Sequence, residues 1–193
     1  MSICVGVLAL QGDFEKHEAM LERLGIAHRQ VRKVADLEAV DALILPGGES
    51  TTIGRLMARY GLDCAIRQRA EAGMPLYGTC AGMILLAKEI VGSQQDQLGL
   101  MDITVLRNAF GSQIDSFEAP LPFKPFGEEP VTAVFIRAPI VQSVGEGVEV
   151  LSTFEDKIVA VQQGNLLATA FHPELTDDTR IHEYFVGLAR KSK

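Results

Sequence analysis

Basic residues are in short supply in this chain: 18 Lys and Arg stand against 25 Asp and Glu over 193 residues, a net charge of -7. No dense basic patch offsets the deficit, which argues against nucleic acid as a partner. Cysteine is also sparse. Cys4, Cys64 and Cys80 are odd in number and contain no close pair, so neither a disulfide framework nor a zinc site is suggested and a reducing cytosol fits. The opening Met1-Ser2-Ile3-Cys4-Val5-Gly6-Val7 lacks the basic region and cleavage site of a secretory leader, and no apolar run approaches a membrane span. The expectation is a soluble, unprocessed cytoplasmic protein with no membrane association. Repeats and low-complexity tracts are missing too.

What is present is a chain 47% hydrophobic and 22% charged, enough for one globular domain over residues 1–193 with a core that stands alone. Ile3 to Leu10 is a nearly continuous apolar run, the mark of a strand covered on both faces of a parallel sheet. Gln11-Gly12-Asp13 breaks it, with Asp13 as cap of a helix running to about Leu24 and stopped by Gly25. His17 on that helix reads as a solvated side chain. Strands follow at Ala27–Val31 and Ala42–Leu45, around a helical turn at Asp36–Val40. A helix follows through Leu56, Met57 and Tyr60, and another spans Asp63–Ala72. Ser93–Gln97 is a polar loop and Ile103–Leu106 a short strand. The stretches 107–113 and 117–130, the second rich in proline and glycine, read as loops. Val131–Ile136, Val148–Phe154, Ile158–Gln163 and Leu166–Phe171 are strands in close succession, and Asp177–Arg190 is an amphipathic helix capped by Asp177 or Asp178. The pattern predicts an α/β, three-layer sandwich: a mostly parallel central sheet, with antiparallel strands added in the C-terminal half.

The chain is organised around Leu76-Tyr77-Gly78-Thr79-Cys80-Ala81-Gly82-Met83-Ile84-Leu85-Leu86-Ala87, which reads as strand, elbow and helix, with Ile84, Leu85 and Ala87 available for burial. Gly78-x-Cys80-x-Gly82 has the spacing of a nucleophile elbow, where a sharp turn lifts the central side chain clear of the sheet and flanking glycines avoid Cβ clashes. A thiol there faces the positive end of the next helix, which favours the thiolate, and the Ala81 N–H is a donor for an oxyanion. The plain alternative is a buried core cysteine. Pro46-Gly47-Gly48-Glu49-Ser50-Thr51-Thr52 exposes backbone N–H groups at the carboxyl edge of the sheet, although a turn with a Ser or Thr cap has the same composition. Near the end, Phe171-His172-Pro173-Glu174 follows the last strand. The residue before a proline is biased to extended geometry, so His172 and Glu174, two apart, project together and the carboxylate orients the imidazole. With the elbow, these make a Cys80–His172–Glu174 triad: nucleophile, acid–base and orienting carboxylate.

These three elements, in this order, resemble the triad-type (class I) glutamine amidotransferases. Within them the chain is similar to the glutaminase subunits of pyridoxal 5′-phosphate synthase, on Leu8-Ala9-Leu10-Gln11-Gly12, residues 46–52, Arg107-Asn108-Ala109-Phe110-Gly111, Asp115-Ser116-Phe117-Glu118, Phe135-Ile136-Arg137-Ala138-Pro139 and His172-Pro173-Glu174-Leu175-Thr176. Ser112 departs from the pattern, which has an arginine there before Gln113. The resemblance implies a glutamine pocket lined by Gly47, Gly48, Glu49, Arg107, Ile136 and Arg137, and an oxyanion site at Gly47, Gly48 and Ala81, with Gln11 in reach of it. Arg107 or Arg137 suits the substrate α-carboxylate and Glu49 its α-ammonium; the plain reading of each is a surface salt bridge. The resemblance also implies hydrolysis of L-glutamine to glutamate and ammonia, no metal or cofactor on this chain, and a synthase subunit in a hetero-oligomeric complex that receives the ammonia. Three other readings share parts of this pattern: a glutaminase serving imidazole glycerol phosphate synthesis, a non-catalytic cysteine-based sensor or chaperone on a related scaffold, and a plain cysteine hydrolase. The first should lack the Arg107–Gly111 and Phe135–Pro139 segments, glutamine-dependent ammonia release separates the sensor, and turnover of esters or peptides in preference to glutamine marks the plain hydrolase.

Overall fold

The computed structural model describes residues 2–111 and 115–193, so Ser112 and Gln113 lie outside the described residues. The first half alternates strand and helix: β1 (Cys4–Leu8), α1 (Phe14–Arg23), β2 (Ala27–Val31), α2 (Val34–Leu37), β3 (Ala42–Leu45), α3 (Ser50–Arg59), α4 (Leu62–Glu71), β4 (Leu76–Thr79) and α5 (Ala81–Leu86). The second half is mostly strand: β5 (Ala87–Ile90), β6 (Met101–Leu106), β7 (Ser116–Leu121), β8 (Val131–Ile136), β9 (Ile140–Val144), β10 (Glu149–Phe154), β11 (Lys157–Gln163) and β12 (Leu166–Thr169), closed by α6 (Arg180–Lys191).

A ten-stranded sheet runs β2-β1-β3-β4-β12-β11-β9-β6-β5, with β10 paired antiparallel to β11 outside that order. Its first five strands are parallel, and Val5, Val7 and all of Ala42–Leu45 are buried, as in strands covered on both faces. Antiparallel pairing enters at β11 and continues through β9 and β6, while β5 returns parallel to β6 at the far edge. The late strand β12 therefore sits in the middle of the sheet. Its register against β4, Ala168 beside Gly78 and Thr169 beside Thr79, brings the carboxyl ends of the two strands level. One continuous apolar core extends from Ile3 to Ala189. The helices α1 and α6 meet on one face above β4, through His17, His182 and Phe185 around Tyr77.

Several local expectations are corrected. The stretch 117–130 is not all loop, because β7 pairs with β8 in a separate two-stranded sheet and Lys124–Phe126 forms a 3-10 turn. The strand β9 lies where no element was expected. Helix α5 stops at Leu86, and Ala87, though buried, opens β5. The helical turn before β3 begins earlier than expected, at Val34. Asp13 makes no side-chain cap on α1, its N–H bonding instead to the Gly47 carbonyl at 3.1 Å. At α6 the residue in the cap position is Thr179, although Asp178 Oδ1 does accept the Arg180 N–H at 3.0 Å.

Candidate active site

Cys80 follows β4 with φ 51 and ψ -102, left-handed backbone that costs a non-glycine residue energy and that surrounding contacts must hold. They do so tightly. The Cys80 N–H donates to the Thr169 carbonyl at 2.8 Å, and the Cys80 carbonyl accepts the first helical bond from Ile84 at 3.2 Å. A Cβ on Gly78 would lie 2.4 Å from the Gly82 carbonyl carbon, and one on Gly82 2.1 Å from the Leu45 oxygen, so only glycines let β3, β4 and α5 approach this closely. Ala81 opens the helix, where its N–H has no intrahelical acceptor.

His172 sits just beyond β12, fixed by its N–H to the Val134 carbonyl at 2.8 Å. The segment after it is a 3-10 turn, Pro173–Leu175, not the extended run expected from the proline, and this turn brings the two side chains together. His172 Nδ1–H donates to Glu174 Oε1 at 2.6 Å. Both residues are buried, at 4% exposure each. Burial alone would raise the Glu174 carboxyl, but the His17 and His172 rings and its hydrogen bonds outweigh it and hold the group below the usual range. For His172, burial opposes the charge, while Cys80 and Glu174 favour it and raise its pKa to about 10. The sulfur is near enough to act on that ring, yet its bond at hydrogen-bonding geometry is a long one, 3.9 Å to the Ile136 carbonyl. Loose contacts of this kind are usual before substrate closes a site.

The thiol and imidazole open into one cleft of about 430 Å³ whose wall also includes Gly48, Glu49, Ala81, Arg107, Ile136 and Arg137. Gly47 stands directly over the pair: a Cβ there would be 2.6 Å from His172 Cε1 and 3.7 Å from Cys80 Cβ. Glu174 lies behind His172, outside the cleft wall. Every residue singled out for the site is thus brought to the cleft, its roof or its back. Two are also engaged elsewhere. Glu49 caps α3 through Thr51 N–H at 3.1 Å and Thr52 N–H at 2.7 Å, so the cap of the turn is the glutamate itself in place of a Ser or Thr. Thr52 above all holds that carboxyl low. Gln11 Oε1 accepts the Glu49 N–H at 2.8 Å and thereby ties the Gly47-Gly48 loop to the end of β1.

Sequence reading passed over three parts of this region. Gln95, in the polar loop 93–97, accepts from Arg107 Nη1 at 2.9 Å and from the Ser50 hydroxyl at 3.3 Å, which fixes the arginine at the cleft. Asn108 lines the wall with φ 50. His17, expected in solvent, is fully buried among His182, Thr79 and Glu174. A glutamine in a loop or a histidine on a helix carries no signal of such partners.

Comparison with known proteins gives a consistent picture. A family model described as the SNO glutamine amidotransferase family matches residues 7–191. A Herpetosiphon aurantiacus protein named pyridoxal 5′-phosphate synthase subunit PdxT is 61% identical over 95% of this chain and 99% of its own length. A Thermus thermophilus protein of the same name is 57% identical over 96% of this chain and 97% of its own. A crystal structure of a glutamine amidotransferase superposes with TM-score 0.93 at 54% identity, covering 96% of this chain and 98% of that one.

Proposed function

Since the chain belongs to the SNO glutamine amidotransferase family, we propose that it is the glutaminase subunit of a pyridoxal 5′-phosphate synthase and that Cys80, His172 and Glu174 perform its hydrolysis of L-glutamine. The observation that carries the reading is the facing of a thiol and a carboxylate-backed imidazole across one cleft, at the level ends of two neighbouring parallel strands. With its pKa raised to about 10 by Cys80 and Glu174, the His172 ring is an imidazolium at neutral pH, the form that can give a proton to the departing nitrogen.

The thiolate attacks the side-chain carboxamide carbon of glutamine. Negative charge moves to the carboxamide oxygen, where N–H groups at Gly47, Gly48 and Ala81 are the available donors; loss of one such donor costs about 3 kcal/mol in comparable sites. His172 gives its proton to the departing nitrogen, the C–N bond breaks, and ammonia leaves a glutamyl thioester. Water then loses a proton to His172 and attacks the thioester, releasing glutamate and restoring the thiolate. Glu174 keeps Nδ1 protonated throughout, so that Nε2 faces the reaction. Arg107 and Arg137 suit the α-carboxylate of the substrate and Glu49, Thr-bonded and anionic, its α-ammonium. The ammonia passes to a synthase subunit in the same complex, and the relatives' shared name favours that partner over one for imidazole glycerol phosphate.

The test is glutamate and ammonia release from glutamine, with and without the synthase subunit, for wild type, Cys80→Ala and His172→Asn. Release by wild type with the synthase, lost in both variants, is expected. Activity surviving either substitution overturns the triad, and no release by wild type overturns the glutaminase reading in favour of a sensor.

A further inference from the structure

Behind the Glu174 carboxylate lies a second histidine system that the hydrolysis above does not use. His17 on α1 and His182 on α6 are fully buried and bonded to each other, His17 Nδ1 to His182 Nε2 at 2.8 Å. The other nitrogen of His17 bonds to Thr79 Oγ1 at 3.1 Å and lies 3.6 Å from Glu174 Oε1. Thr79 is the residue before the nucleophile. One imidazole thus touches both the strand that presents Cys80 and the carboxylate that orients His172.

The protons in this chain can be placed by elimination. His182 Nδ1 is buried with no hydrogen-bond partner among the described residues, where a stranded N–H costs more than a stranded lone pair, and the opposite tautomers would turn a bare His17 Nε2 toward the Glu174 carboxylate 3.6 Å away. The His182 proton is therefore on Nε2 and is donated to His17 Nδ1. That nitrogen, as acceptor, carries no proton, and the His17 proton must sit on Nε2, where it points at Thr79 Oγ1 and toward Glu174. Tyr77, the other polar group from β4 here, is turned away from this exchange: its hydroxyl donates to Thr169 Oγ1 at 3.1 Å, because the Thr169 hydroxyl is spent on the Phe171 carbonyl at 3.0 Å. The remaining charged neighbours are His172, on the far side of Glu174, and Asp13, at the start of α1.

We propose that His17 and His182 are positioning residues, a pair of neutral imidazoles in fixed tautomers whose outward N–H is bonded to Thr79 of the nucleophile strand and turned toward the Glu174 carboxylate 3.6 Å away, so that the carboxylate stays anionic and aimed at His172 Nδ1. The proposal rests on the reading of His172 as the acid–base group. Orienting partners one step behind a working imidazole commonly matter by about 10- to 100-fold.

The experiment compares glutamine hydrolysis by wild type, His17→Phe and His17→Gln in complex with the synthase subunit, with the melting temperature of each. His17→Phe should lower kcat about 10- to 100-fold with KM for glutamine changed less than about twofold. His17→Gln, whose amide N–H reaches the place of the imidazole Nε2–H, should recover most of that loss. A purely packing role reverses the order, since Phe fills the apolar volume better, so a Phe variant as active as Gln or wild type overturns the proposal. In wild type, nitrogen NMR of labelled histidine should find both rings neutral and protonated at Nε2; a proton on Nδ1 of either overturns it even where a variant fails to fold. Absence of any glutamine hydrolysis by wild type strikes at the glutaminase reading instead, and leaves the tautomers to be decided by NMR.

Discussion

At the scale of single residues, the site depends on an atom that is not there. Gly47 has ordinary backbone freedom to spare, but a methyl at its Cα would press on His172 Cε1, and that ring cannot retreat because Glu174 holds its other side. Gly47→Ala should therefore push the imidazole off its line to Cys80 and lower kcat for glutamine hydrolysis about 100-fold, with a stability loss of only ~1–3 kcal/mol. Steady-state rates set beside urea unfolding of the same variant check both halves, and an unchanged kcat would show that the ring has room after all. The motif Pro46-Gly47-Gly48 was visible in the sequence as a loop with free N–H groups. That its first glycine clears space for a histidine 125 positions later in the chain was not, because no local pattern encodes a contact between two loops. His17 makes the same point in reverse: its helix position looked solvated, and only α6 arriving over it supplies the partner that keeps it buried.

At the scale of elements, what could be read depended on how far each strand obeys a pattern. The apolar β1 and β3, the glycine-flanked elbow after β4, and the His-x-Glu after the last strand are local signals, although the last closes through a 3-10 turn and not the extended run expected. The strand β7 was hidden by Pro120. A proline donates no ladder bond, so in a central strand it would be disruptive, but among the described residues β7 pairs with β8 alone. This small sheet is held by aromatic packing, with Phe117 stacked on Phe135 at 4.7 Å and Phe110, Phe154 and Phe171 around them. Phe135 is buried and directly precedes Ile136 and Arg137 of the cleft wall. Phe135→Leu should cost ~1.5 kcal/mol in unfolding free energy and, by loosening the end of β8, raise KM for glutamine by more than it lowers kcat. A variant with stability reduced and KM unaltered would separate the aromatic cluster from the cleft.

For the whole molecule, the buried histidines set a direction for acid stability. Burial drives the His182 pKa down to about 3, and His17 is lowered by burial as well. An unfolded chain protonates both near pH 6.5, so below that value the unfolded state binds more protons and stability falls as pH falls, for His182 down to about 3. His172 acts in the opposite range, because its raised pKa contributes stability that is complete below about pH 6.5 and lost as pH climbs through about 10. Urea unfolding across the mildly acidic range should show the slope, up to ~1.4 kcal/mol per pH unit for each ring, and His182→Gln should flatten it; parallel curves for variant and wild type would mean the imidazoles titrate alike in both states. The placement of β12 has a further result for how the protein is made. The strand that ends beside His172 is synthesised after β4 and β11, yet it inserts between them. On the proposed triad, Cys80 therefore emerges during translation before its base, and glutamine hydrolysis has to wait until β12 has threaded into the sheet.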